Sequence, residues 1–562
     1  MFVNSVGLFI NKPNIRQNSV KKTDSVNFTG TNSLQRDMVS FGAKPPMEEL
    51  QKYFDNYKPV ILDFRDYKIP VHNNKIADRM KDEYSPDSFD ALFEFADKKG
   101  VFDVNVDEKT NYVQTSLINP KENPLMSKLV WVTDSCNIMP LLKDKHPEIC
   151  VPLMENMSAY YAKQQRAFDR IINNPDLFEL NHDWPNTAKN GVGHVFNPKN
   201  GISHKWFAKT RLDSMGLYIG AVTDLMKDGF NGADYGYKKA DDVSSNTIEA
   251  MANAARYLQK INYAYAKDTG PWEEKTFNAT TTSDVAIINE SFRKLLDFMY
   301  APTDNKEILK IRKRLLNAKN GEVFKDEAAL RQQLEIGEYR IKTNSKHEVP
   351  NERKLDGAMG FIFKTEKLDD DVVKNAKKVM KRLLDYEKGV KGDKEIVREN
   401  GVIRYNKDKY LYLNSDLSGK KSEYNPQRKF PPKTEAQWFM VSDIAASYGK
   451  VAKSLMDKIE QDGESSKEID KLLKYALKKE TEYINRGYAR ITGKHSYKAN
   501  GVKAPAYQVP EAYQAIKDSK GNIKFVPGTH TPLAWAQASL YDASKVFLDN
   551  LERYEELQNM RE

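Results

Sequence analysis

Cysteine is nearly absent. Cys136 and Cys150 are the only two in 562 residues, which excludes a disulfide framework, and no Cys/His cluster has the spacing of a structural zinc site. Long apolar runs are missing as well. The stretch at 129–132 stops far short of the ~20 residues that a membrane span requires. The opening MFVNSVGLFINK holds only a short apolar run before Asn and Lys, too little for a secretory signal. Charge of one sign is hardly in excess: 88 Lys+Arg against 79 Asp+Glu leave a formal net charge of +9. The lysine-rich stretches 374–382 and 467–479 alternate with acids and aliphatics, as solvated helix faces do. A nucleic-acid groove would instead concentrate positive charge with interleaved aromatics, so no nucleic-acid partner is expected. No repeat of fixed period runs along the chain, which argues against a solenoid. These absences leave a soluble, cytoplasmic globular protein as the expectation.

What is present is apolar surface for a large core: 40% of the residues are hydrophobic and 11% aromatic. Residues 1–46, rich in Asn, Ser, Thr, Lys and Gly, read as a disordered leader ending at Lys44-Pro45-Pro46. Residues 47–562 read as one large α domain. Helical periodicity is expected over 88–99, 147–173, 212–227, 245–267, 283–300, 306–316, 369–386, 435–460, 466–485 and 532–557. The charged segment 301–352 reads as an insertion or a divergent helical pair. Strand-like alternation is short, as at 111–115 and 401–405. Three long connections, 174–210, 401–434 and 493–531, are rich in Asn, Gly, Pro, His and Trp. Loops of that length are usually functional, and helices joined by them suggest a layered helical toroid with a site where the loops converge.

Trp, Arg and carboxylates cluster in and beside these loops. The first cluster is Trp131-Val132-Thr133-Asp134-Ser135. The second runs from His204-Lys205-Trp206 to Arg211-Leu212-Asp213-Ser214. The third is Asp268 to Glu274, including Trp272 and Glu273. The fourth is Arg404-Tyr405 with Asp408 and Tyr410, followed by Trp438-Phe439. The last is Pro510-Glu511 and then Pro532-Leu533-Ala534-Trp535. Carbohydrate chemistry uses this mixture. Indoles offer flat apolar faces to sugar C–H groups, and Arg and Asp fork onto vicinal hydroxyls. Glycosidic cleavage needs one neutral and one ionised carboxyl group. Trp272 beside Glu273 is a means of holding that carboxyl protonated by desolvation. His182, His194 and His204 match no standard zinc spacing and read as solvent-facing or loop-packing residues. Cys136 reads as a small buried hydrophobe.

In their order along the chain, the five clusters resemble the signature blocks of glycoside hydrolase family 15. That family comprises glucoamylases, glucodextranases and some trehalases, and the amino-terminal domain of phosphorylase kinase α subunits is related to it. The resemblance runs from about 90 to 551. It implies an (α/α)6 toroid, six inner helices ringed by six outer ones, and an inverting hydrolase acting on an α-glucan or short α-glucoside. Glu273 would be the protonated general acid and Glu511 the base that activates water. Trp131, Asp134, Trp206, Arg211, Asp213, Trp272, Glu274, Arg404, Asp408, Trp438 and Trp535 would bind sugar or shape its subsites, with no metal or cofactor. Two departures stand out. Thr133 replaces the Arg that grips the nonreducing sugar, and Ala512 replaces the Gln that follows the base. Both lean toward the alternative, a noncatalytic glucan-binding or regulatory toroid like the phosphorylase kinase domain.

Overall fold

The computed structural model describes residues 45–560 apart from 108, 117–127, 179–190, 205–210, 274–280, 345, 350–352, 354, 367, 369–370, 390–394, 409, 412–432 and 464. The expected leader lies almost wholly outside the described residues. Helices dominate, and six of them form a closed inner ring: Val132–Asn137 (α1), Leu212–Phe230 (α2), Thr282–Tyr300 (α3), Met359–Thr365 (α4), Val441–Asp462 (α5) and Ala534–Asn559 (α6). Each packs on the next in chain order, and α6 returns to α1. Outside them lie Pro86–Lys98 against α6, Pro147–Ala162 and Ser245–Lys260 against α2, and Glu327–Thr343 against α3. Val372–Lys388 covers α5, and Lys467–Ala489 covers α5 and α6. The expected all-α toroid is therefore present.

Local chemistry explains why the outer helices were legible. Pro86–Lys98 starts at a capping box made by Ser85 and Ser88 with Pro86 in the first turn, and buries Phe89, Leu92 and Ala96. Val372–Lys388 begins at the Asp371 cap and buries Ala376, Val379, Met380 and Leu383, leaving lysines outward. The inner helices are different. In α1 every residue from Val132 to Cys136 is buried, and α3 buries nearly its whole first two turns. α2 and α3 approach so closely that a Cβ at Gly216 would lie 2.9 Å from the Ile288 side chain.

Several boundaries differ from the sequence reading. The helix expected over 435–460 begins only at Val441, because Gln437 and Trp438 are taken into a strand. The expected 147–173 helix divides into Pro147–Ala162 and Gln165–Asn173, and the 245–267 helix stops at Lys260. Lys306–Leu316 and Glu327–Thr343 are the helices within 301–352. The inner helices α1 and α4 were not foreseen. Neither was a five-stranded antiparallel sheet, ordered Ile523–Pro527, Ala512–Lys517, Gln437–Trp438, Gly401–Val402 and Val397–Arg398. Among the described residues no helix is long and apolar enough to cross a membrane.

Candidate active site

The inner helices carry acids at their amino-terminal turns. Asp134 in α1, Asp213 in α2, Asp284 in α3 and Asp443 in α5 each sit in a first turn, and all are buried. Unpaired backbone N–H groups give a helix start a partial positive charge, which favours a carboxylate there. Short strands lead into two of these turns, Val130–Trp131 into α1 and Gln437–Trp438 toward α5, so Trp131 and Trp438 arrive beside them.

Arg211 is the hub. Its Nε and Nη2 fork onto Asp213, at 3.0 Å to Oδ1 and 2.8 Å to Oδ2. Its Nη1 donates to Glu273 Oε1 at 3.1 Å. The guanidinium is almost wholly buried, and such a fork is the geometry in which a buried ion pair holds best. Behind it Asp268 accepts from the backbone N–H of Leu212 at 2.8 Å, tying the Glu273 loop to the start of α2. Burial raises Asp268 to about 7, partly offset by its hydrogen bond with Asp284. Asp284 is pushed well above the usual carboxylate range by burial and by the charge of Asp268. This pair retains a proton near neutrality.

Glu273 stands in a tight turn with φ 56°, a conformation uncommon for a residue with a side chain, and its N–H bonds Gly270 O at 3.0 Å. Its Oε1 receives both Arg211 and His194 Nε2, the latter at 2.9 Å, and no described residue bonds Oε2. Burial alone would raise this carboxyl, but the hydrogen bond and charge of His194, then Arg211, outweigh it and bring it from 4.5 to about 2. Glu273 is thus held as an anion. That corrects the expectation of a carboxyl kept protonated by desolvation beside the indole, because His194 and Arg211 outweigh the burial; Trp272 gives its Nε1–H to Asp356 Oδ1 at 2.6 Å. Of the two alternatives for His194, solvent-facing or loop-packing, burial favours the second, and in that position it holds Glu273.

The proton rests elsewhere. Burial raises Asp134 to about 7, with Arg211 opposing and the charges of Glu511 and Glu273 adding to the rise. Asp134, Glu273 and Glu511 therefore lie within electrostatic reach of one another although they come from three distant parts of the chain. Glu511 accepts from His530 Nδ1 at 2.7 Å through Oε2. Glu511 and Glu273 keep 18% and 22% side-chain exposure against 1% for His194 and 4% for Arg211, so these two carboxylates are the ones solvent reaches. Arg490, buried and with no carboxylate partner among the described residues, donates to Gln437 O, Pro510 O and Glu511 O at 3.1, 3.0 and 3.3 Å, fixing the segment that carries Glu511.

A second guanidinium lies among aromatic rings. Arg404 forks onto Asp408 at 2.7 and 2.8 Å. Its Cζ is 4.8 Å from the Tyr410 ring centroid and 5.4 Å from those of Trp272 and Trp438, which are 5.6 Å apart. The Glu273 turn thus ends against the Arg404 cage through Trp272. Trp131 packs with Leu129 and Val195, and Trp535 packs between Phe361 and Phe439. Trp206 and Glu274 lie outside the described residues. Cys136 is buried and its thiol pushed up by that burial, as a small core residue. Among the described residues no group of three or more His, Cys, Asp or Glu is arranged to hold a metal ion.

The sequence reading missed His530, His194 and Arg490. Each acts through a partner 19 to 79 residues away in sequence; His194 and His530 sat in loops already marked, and Arg490 did not. No family model and no curated protein matches the chain. Among solved structures it is similar to a glycosidase variant in complex with glucose, at TM-score 0.47 and 11% identity, covering 84% of this chain and 100% of that one. It is also similar to a second glycosidase variant, at TM-score 0.46 and 12% identity with the same coverage. Likeness at this level leaves the architecture resting on its own packing.

Proposed function

We propose that the protein is an inverting glycoside hydrolase acting on an α-glucan or a short α-glucoside, with a carbohydrate as its partner. The observation that carries this reading is the convergence of Glu273, Glu511 and Arg211 on the buried Asp134 carboxyl, with Arg211 donating to Glu273. The buried Asp134 carboxyl, faced by the charges of Glu273 and Glu511, is raised into the neutral range. The proton available to the site therefore sits on Asp134. A bound sugar strips the remaining water from Glu273, whose free Oε2 then draws the proton and delivers it to the leaving oxygen. Glu511 takes the proton of the attacking water, whose oxygen bonds to the anomeric carbon as the glycosidic bond breaks. Arg404 with Asp408, flanked by Trp272 and Trp438, forms the wall against which the sugar stacks.

Sugar release from α-glucans, dextran and trehalose tests the reading directly, with the first-formed sugar inverted at its anomeric carbon. Glu273→Gln should cost ~10²–10⁴ in rate on substrates with poor leaving groups and less on glycosyl fluorides. Glu511→Gln should slow both kinds comparably. Retention of configuration would refute the water-activating role. One observation favours the noncatalytic toroid instead: His194 and Arg211 both hold Glu273 Oε1 and favour its ionised form, whereas a general acid must carry a proton. Glucan binding without any sugar release decides for that reading.

A further inference from the structure

The segment that carries Glu511 is one side of a hairpin, and its other side returns a histidine to the same carboxylate. Ala512–Lys517 pairs with Ile523–Pro527 in antiparallel register, Tyr513 opposite Pro527, and the ladder continues through Gly528 N to Ala512 O at 2.8 Å. The next bond departs from that register. Strict alternation would set Glu511 opposite Thr529, yet the Glu511 N–H bonds His530 O at 3.0 Å. One extra residue on a strand end is a bulge, and a bulge re-aims the side chain that follows it. Here it turns His530 onto Glu511, with Nδ1 2.7 Å from Oε2. From the opposite side Arg490 grips the carbonyls of Pro510 and Glu511. The backbone of Glu511 is therefore held on two sides and its carboxylate by one oxygen.

We propose that His530 is the positioning residue for Glu511, donating its Nδ1–H to Oε2 so that Oε1 is left aimed to take the proton of the attacking water. This rests on reading Glu511 as the water-activating base. The pair is largely covered, at 12% and 18% side-chain exposure, so the bond is little weakened by competing water. The balance is simple. Water's oxygen bonds to the anomeric carbon, its proton goes to Oε1, the leaving oxygen takes the acid's proton, and His530 keeps its own throughout. Anchoring one oxygen spares the base a rotation at the moment of reaction.

The full-length protein supplies the test. His530→Ala should lower kcat by ~10–100-fold, the cost usual for losing a group that orients a reacting one, with KM within about twofold. His530→Asn can present an amide N–H close to where Nδ1–H stood, and should recover most of that loss. Nitrogen NMR reads the bond without turnover. His530 should be the Nδ1–H tautomer, and its pKa should fall by ~1 in Glu511→Gln, since a neighbouring carboxylate favours imidazolium. An unchanged kcat in His530→Ala overturns the proposal. So does an Asn variant no better than Ala, or an Nε2–H tautomer. Wild-type protein that releases no sugar overturns the hydrolase reading, whereas an active wild type indifferent to His530→Ala overturns this one alone.

Discussion

Asp134→Asn should make the protein more stable at alkaline pH while removing its activity. Asp134 is only 8% exposed, and burial raises its carboxyl from 3.8 to about 7. Between those two values the unfolded chain has released the proton and the folded protein still holds it. The folded state binds more protons there, so wild-type stability falls as pH rises, by ~1.4 kcal/mol per pH unit, and levels off above about 7. The full span is about 4 kcal/mol. Asparagine matches the shape and carries no charge, so the variant escapes the whole of it. Below pH 4 the two proteins should melt together. At pH 8 the variant should lead by about 4 °C, since roughly 500 residues at ~2 cal/mol/K each give about 1 °C per kcal/mol. Thermal melts of both proteins from pH 4 to 8, followed by circular dichroism, measure this, and the same preparations should show a rate on glucans reduced by ~10²-fold or more. A gap in Tm that does not grow with pH, or a variant less stable at pH 8, refutes the account of where the proton rests.

Arg211→Met should destabilise the protein by ~3–5 kcal/mol at neutral pH in urea titrations, because it leaves Asp213 and Glu273 without their cation. The loss should shrink in acid: Glu273, held at about 2 in the native protein, contributes stability that is present above 4.5 and lost as pH falls through about 2. Gly401→Ala should cost ~2 kcal/mol or more in the same titration, since φ there is 154° and a Cβ would lie 2.2 Å from Trp438 O. Both thiols should resist a thiol reagent until the chain unfolds, because Cys136 and Cys150 are buried and burial pushes the Cys150 thiol up to about 12.

Much of the outer layer was readable because its helices divide their residues between core and water. Val372–Lys388 and Lys467–Ala489 alternate lysines with aliphatics at helical spacing and begin at Asp371 and Ser466 caps, so period and punctuation agree. α1 and α4 carry no such signal. Val132 to Cys136 and Met359 to Phe363 are buried on every side within the ring, and a helix with no wet face has no hydrophobic period to detect. The strand Gln437–Trp438 was absorbed into the following helix for a related reason: its partners, Val402 and the Ala512–Tyr513 pair, lie tens of residues away.

The same division runs through the site. The ordered resemblance of the Trp, Arg and carboxylate blocks to a known family's signature marked Asp134, Arg211, Asp213, Glu273, Arg404, Asp408 and Glu511, because that order is written along the chain. Their charge states are not written there. Whether Glu273 keeps a proton depends on His194 and Arg211 closing on one of its oxygens, and whether Asp134 does depends on how much water is shut out around it. Sequence names the ionisable groups, but a proton follows distance and solvation, and both exist only once the ring has closed.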